Sequence, residues 1–266
     1  MFGRSLYRVL NGLVSYRNYF GLIKSLVTYV NPFRDFVYGY IFLKGNYPKY
    51  ISLRTPIGIR PVKLTNSLDT FTVHEIFAWE IYSTDSKVSK VIVDFGSNIG
   101  VSEVYFLSRH PENIVYGFEP VHKLYLTLSE NVQSFSGRVF NQNIAIADKS
   151  GIAIMGVEDS GRYGGIGVKT DSQIQINTLD VNLVLSDILC RHSFIDILKI
   201  DIEGLEDIVL EHISDENLTK IKVIYLEKGD DDKYFPENLR NRFKLLSHRG
   251  ICKYINFELC ELDSIV

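Results

Sequence analysis

The chain is short of the residues that staple or punctuate a fold: three cysteines, seven prolines and one tryptophan in 266 residues. Cys190, Cys252 and Cys260 are too scattered for a disulfide framework, and no C-x-x-C pair points to zinc. An odd cysteine count suits a reducing compartment, so the expected location is cytoplasmic. No uncharged run approaches the roughly 18–20 residues of a membrane-spanning helix; the longest near the start is Ser25–Phe33. Arg8, Arg17 and Lys24 interrupt the early apolar stretches and no small-residue cleavage site follows, so no secretory signal is read. Neither charge sign dominates, with 29 Lys+Arg against 32 Asp+Glu, which excludes a highly basic nucleic-acid binder. Repeats and low-complexity tracts are absent. A hydrophobic content of 45% excludes a disordered chain and suffices for a full core.

What is present is unevenly spread. Residues 1–50 hold seven basic residues against Asp35 alone, a balance of +6, and 13 of the 33 aromatics, while residues 51–266 carry −9. Apolar residues at helical spacing over 4–30 end at Asn31-Pro32, because the residue before proline avoids the helical basin. Residues 1–49 therefore read as a helical appendage and 50–266 as the main domain. Within that domain, 50–64 alternates like a hairpin and 66–82 reads as a turn and short helix, an upstream unit over 50–84 ahead of a core at 85–266.

From residue 91 the pattern becomes regular. Strands are expected at 91–96, 114–118, 139–147, 195–201, 222–226 and 252–259, and helices at 99–109, 121–132, 180–190, 205–213 and 236–247. Extended segments at 152–157 and 173–177 flank the glycine-rich Ser160–Gly167. This alternation predicts an α/β fold with a doubly wound, mostly parallel sheet.

Three stretches carry chemistry. In Val91–Gly100 (VIVDFGSNIG) a buried strand runs into a glycine-bearing turn and a helix N-terminus, a place where backbone approaches a ligand in the crevice beyond the strand ends. Its G-x-x-x-G spacing departs from the G-x-G-x-x-G of dinucleotide sites. In Tyr116–Pro120 an acid, Glu119, closes the second strand 19 residues after Gly100, the usual distance for a carboxylate that takes ribose hydroxyls. Together the two indicate a nucleoside-containing cofactor. In Ile195–Gly204 (IDILKIDIEG), alternation puts Lys199, Asp201 and Glu203 on one side at a strand's carboxyl end, and such neighbouring carboxylates suit a general base.

The succession DFGSNIG, FEP, NQNIAIADKSG, INTLD and DILKIDIEGLEDIVL, with ISLRTPIG and DTFTVHEIFAWEIY upstream, resembles the FkbM-type S-adenosylmethionine-dependent methyltransferases over residues 50–260. The resemblance implies the Rossmann-like class I methyltransferase fold, a seven-stranded sheet with one antiparallel edge strand, here Cys252–Leu259. It implies S-adenosylmethionine as cofactor and O-methylation, commonly of a sugar hydroxyl in a glycan, glycolipid or small molecule. By matching position, Asp94, Gly96, Ser97, Asn98 and Gly100 would cradle the methionine and adenosyl portions, and Glu119 the ribose. Asn143 and Ala145 would border the adenine. Asp201 and Glu203 match the family's acidic pair near the methyl group, and Glu75 and Asp69 match acids of the upstream unit. Where the family often has a glycine after the next helix, this chain has Glu211-His212, which bears on the acceptor side.

Asp201 or Glu203 is thus the expected base, with His74 in reserve, and Arg162 and Tyr163 of the glycine-rich segment are available to a sugar. No metal and no nucleic-acid partner are expected. A dinucleotide-dependent oxidoreductase and a catalytically silent adaptor are the rival readings. Residues 1–30 carry no catalytic motif. They read either as a peripheral contact with the inner membrane surface, near a lipid-linked acceptor, or as an attachment packed on the domain or in a homodimer.

Overall fold

The computed structural model describes residues 16–83, 88, 90–158, 164–166, 172–202, 204–227 and 235–260. Helix α1 (Tyr16–Thr28) and α2 (Pro32–Ile41, wound as a π-helix) precede a hairpin of β1 (Lys49–Thr55) and β2 (Gly58–Leu64). Helix α3 (Asp69–Val73) runs straight into a π-turn, His74–Ala78. Then follow β3 (Val91–Phe95), α4 (Val101–Arg109), β4 (Ile114–Phe118), α5 (His122–Val132), β5 (Val139–Gln142) and β6 (Ala145–Ala147). Strands β7 (Gly151–Val157), β8 (Gly164–Ile166) and β9 (Ser172–Asp180) lead to α6 (Val181–Arg191) and β10 (Ile195–Ile200). The chain continues through α7 (Glu206–His212), α8 (Asp215–Leu218), β11 (Ile221–Glu227), α9 (Glu237–Arg240), β12 (Phe243–His248) and β13 (Ile251–Asn256).

Seven strands form the central sheet in the order β12-β13-β11-β10-β3-β4-β5. The five from β11 to β5 are parallel, and β13 runs antiparallel to both neighbours. The near-continuous apolar runs VIVDF and IDILKI follow from this, because a parallel strand is covered on both faces. One face packs with α4, α5, the β1–β2 hairpin and residues of α1 and α2 into a core that includes Tyr29, Phe36, Leu53 and Val104. The other packs with α6 and α7 around Val93, Leu198, Leu185 and Val209. The doubly wound, seven-stranded class I sheet is therefore present.

Two segments depart from the expected elements. The third strand divides: β5 ends the central sheet, while β6 pairs with β9 in a second sheet ordered β6-β9-β7-β8. The helix expected over 236–247 is only the short α9, and β12 follows it. Arg249 and Gly250, both at positive φ (52° and 78°), close a two-residue hairpin from β12 to β13. Tertiary pairing with β13 overrides the helical spacing of Leu239, Phe243 and Leu246. The antiparallel strand thus lies one place inside the edge, which β12 forms.

Candidate active site

The ends of β3, β4 and β10 are tied into one floor by backbone hydrogen bonds. Gly96 and Ser97 donate to Phe118 O (3.0 and 3.1 Å), and Asp201 N donates to Phe95 O (3.1 Å). Gly96 has φ 82°, and a Cβ there would lie 1.7 Å from Asp201 O, so only glycine lets the two loops meet. Above this floor opens a cavity of about 200 Å³. Its polar wall includes Gly96, Ser97, Asn98, Glu119, Asp201 and Glu75; its apolar wall includes Ala145, Ile146, Met155 and Ile166 from the second sheet.

Glu119 is held by backbone: Oε2 accepts from Asn98 N (2.9 Å) and Oε1 from Val121 N (2.8 Å). Burial pushes its pKa up to about 7, against the pull of these two bonds. Each oxygen keeps a lone pair for a further donor, which suits a diol. Asp201 lies across the cavity, with Oδ2 3.1 Å from Lys199 Nζ.

Beneath the floor sits a buried charge cluster. Lys199 Nζ donates to Asp94 Oδ1 (2.9 Å) and Gly96 O (3.0 Å), and Ser102 Oγ donates to Asp94 Oδ2. Burial alone would lower the Lys199 pKa; Asp201 and Asp94 reverse this and raise it. One layer deeper, Glu103 is fully buried and accepts from Asn141 Nδ2 (2.8 Å). Burial, reinforced by Asp94, pushes its pKa up to about 8.

The structure sorts the expected residues. Gly96, Ser97, Asn98, Glu119, Ala145, Asp201, Glu75 and Asp69 line the cavity. Asp94 does not: it is wholly buried and anchors Lys199 and Ser102. Gly100 caps α4 at φ 84° and faces Leu128 instead. Asn143 splints the end of β4, its Nδ2 donating to Glu119 O (2.8 Å) and Pro120 O (2.9 Å). Asp69 lines the wall but spends its carboxylate on Thr65 and Asn66. His74 is removed from the cavity: it is buried, stacks on Phe36 at 5.7 Å with Tyr40 tilted against it at 4.3 Å, and its Nδ1 is 2.7 Å from Ser25 Oγ. Its reserve role as a base fails on that packing. Glu203, Arg162 and Tyr163 lie outside the described residues.

Among the cavity residues that sequence reasoning gave no role are Lys199 and Tyr82. Tyr82 is raised in pKa by burial and by Asp201, Glu227, Asp94 and Glu75, so it stays a neutral phenol. Lys199 lies under a Tyr82 ring whose centroid is 5.7 Å away. Asp94 and Lys199 are paired in register across β3 and β10, a signal that appears only once the strand order is known.

The donor set fits S-adenosylmethionine. Glu119 offers acceptors to ribose hydroxyls, Ala145 and Ile146 an apolar surface to a purine, and Asp201 and Glu75 negative charge to a sulfonium or ammonium. A pyrophosphate would meet these carboxylates without a compensating cation among the described residues except Lys199, which Asp94 and Asp201 already engage.

Residues 94–255 match the model of the methyltransferase FkbM domain. The chain is 27% identical over 223 residues to the AMB antimetabolite synthetase AmbE of Pseudomonas aeruginosa, covering 68% of this chain. It spans about a tenth of that protein's length, 10%. Among solved structures it is similar to a fibrillarin pre-rRNA processing protein of Methanococcus jannaschii (11% identity, TM-score 0.37, 65% of this chain and 68% of that one). It is also similar to a methyltransferase from Geobacter sulfurreducens (13%, TM-score 0.36, 63% and 71%). A third is TrmK of M. capricolum in complex with S-adenosyl-homocysteine (12%, TM-score 0.34, 68% and 69%).

Proposed function

Because the chain belongs to the FkbM methyltransferase family, enzymes that draw on S-adenosylmethionine, we propose that it methylates a hydroxyl of a sugar in a glycan, glycolipid or related metabolite. The observation that carries this reading is the cavity flanked by Glu119 on one side and Asp201 on the other. Bound S-adenosylmethionine supplies an electrophilic methyl group on a sulfonium. The protein's task is then to align an acceptor oxygen with that methyl and to take the hydroxyl proton.

Asp201 is the carboxylate we assign to take that proton. Lys199 holds its Oδ2, which fixes the side chain and leaves Oδ1 for an acceptor hydroxyl. Glu75 and the neutral Tyr82 hydroxyl offer an acceptor and a donor to a polyhydroxylated substrate on the wall nearest α3. Acidic side chains also favour the cationic cofactor, an advantage that fades as its charge is lost in transfer, so alignment and proton removal must carry the rate.

The test is incubation of the protein with methyl-labelled S-adenosylmethionine and sugar, glycolipid and amine fractions. Label in a base-stable methyl ether of a sugar, lost by roughly a hundredfold in Asp201→Asn, is the expected result. Label in an amine, or turnover unchanged in Asp201→Asn, would overturn the hydroxyl and base assignments respectively.

A further inference from the structure

Helix α1 uses its two faces differently. On one, Gly21 and Ser25 are buried against the catalytic domain, as is Tyr29 just beyond the helix end. A Cβ on Gly21 would lie 2.4 Å from Trp79 Nε1, so the helix sits directly on that ring. Ser25 Oγ meets His74 Nδ1 at 2.7 Å, Lys24 pairs with Glu80, and Arg54 Nη1 donates to the carbonyls of Val27 (3.0 Å) and Tyr29 (2.5 Å). The helix is bolted down in a fixed rotation.

The opposite face presents Phe20, Ile23 and Val27 at i, i+3 and i+7, exposed by 76%, 60% and 64%. Phe33, at the start of α2, is 79% exposed. Single exposed apolar residues are ordinary, but a row held outward by a fixed helix marks a contact surface. Among the described residues of this region, Arg34 and Lys44 are exposed cations, while Lys24 is paired with Glu80. Residues 1–50 hold seven basic residues, and their one acid, Asp35, is fully buried. Among the described residues, the acid nearest this face, Glu80, is already neutralised by Lys24.

We propose that the outer face of α1 docks on an anionic phospholipid bilayer, with Phe20, Ile23, Val27 and Phe33 at the acyl boundary and the basic side chains among the headgroups. The exposed parts of four such side chains amount to a few hundred Å². That is short of the roughly 800 Å² per partner of a stable protein interface, whereas a bilayer demands no matching shape. The π-turn beneath α1 carries Glu75 and Ile76 into the cavity wall, so docking places the active site one helix away from the lipid surface. The surface stands independently of the acceptor's identity.

The test is flotation of the full chain with phosphatidylcholine vesicles, with and without phosphatidylglycerol, alongside light scattering of the protein alone. A monomer that floats with the anionic vesicles, roughly thirtyfold better than with neutral ones given the exposed Arg34 and Lys44, is the expected result. The triple substitution Phe20→Ser, Ile23→Ser and Val27→Ser should cut flotation at least about tenfold while S-adenosylhomocysteine binding, read by calorimetry, stays unchanged. Full-length protein that stays unbound to anionic vesicles overturns the proposal. So does a dimer that the triple substitution dissociates, which would make a second copy the occupant, and so does flotation that survives the substitution.

Discussion

Replacing Lys199 with methionine removes the cation on which the floor of the site is built. Asp94 is wholly buried and has two partners, Lys199 Nζ at 2.9 Å and Ser102 Oγ. Lys199 is itself 2% exposed, so neither charge is solvated. Breaking a buried pair from one side strands the other charge, at about 3–5 kcal/mol. For a chain of this size that corresponds to a fall of roughly 6–20 °C in Tm. Asp201, partly exposed at the cavity edge, can turn to water and adds little. The double variant Lys199→Met, Asp94→Asn leaves no stranded charge, so it should recover at least about 1.5 kcal/mol relative to the sum of the single changes. Urea unfolding of the wild type, the two single variants and the double variant measures both effects. A loss below about 1 kcal/mol in Lys199→Met, or strictly additive changes in the double variant, would refute the buried-pair account.

Glu103 should make the protein less stable as pH rises. Its folded pKa of about 8 lies above the ordinary 4.5, so between those values the unfolded chain releases a proton that the folded chain keeps. Stability therefore falls by up to about 1.4 kcal/mol per pH unit in that window and flattens above it. Glu103→Gln should remove this contribution in thermal melts from pH 4.5 to 8.5, leaving below pH 7 the slope from Glu119, whose pKa is also raised, to about 7, and should stabilise the protein at the alkaline end. Gly96→Ala forces a Cβ into Asp201 O, so calorimetry should show at least a roughly tenfold loss of S-adenosylhomocysteine affinity with a lowered Tm. Glu119→Gln keeps the size of the side chain but puts a donor where a ribose hydroxyl must donate, and should weaken the same ligand by about 10–100-fold.

The fold was legible wherever local pattern and final pairing agree. VIVDFG, YGFEP and DILKID announce buried strands ending at a crevice, and the structure brings Gly96, Glu119 and Asp201 to one cavity. The order of the residues along the chain could not distinguish a wall residue from one beneath it. Asp94 and Lys199 are 105 positions apart, and only the register of β3 against β10 makes them partners. Asn143 follows the third strand as expected, yet its amide is spent on Glu119 O and Pro120 O. His74 has the right residue type beside Glu75, but Phe36, Tyr40 and Trp79 enclose it, and that cluster draws on segments dozens of residues away. Strand β12 hid behind helical spacing because the Arg249-Gly250 turn that pairs it with β13 lacks the usual asparagine or aspartate.

The central claim is that the cavity between Glu119 and Asp201 holds S-adenosylmethionine. Calorimetric titration of the full chain with S-adenosylhomocysteine and, separately, with NAD tests it most directly. Saturable one-to-one binding of S-adenosylhomocysteine, weakened in Glu119→Gln and with no heat from NAD, is the predicted result. Binding of NAD without binding of S-adenosylhomocysteine would contradict it.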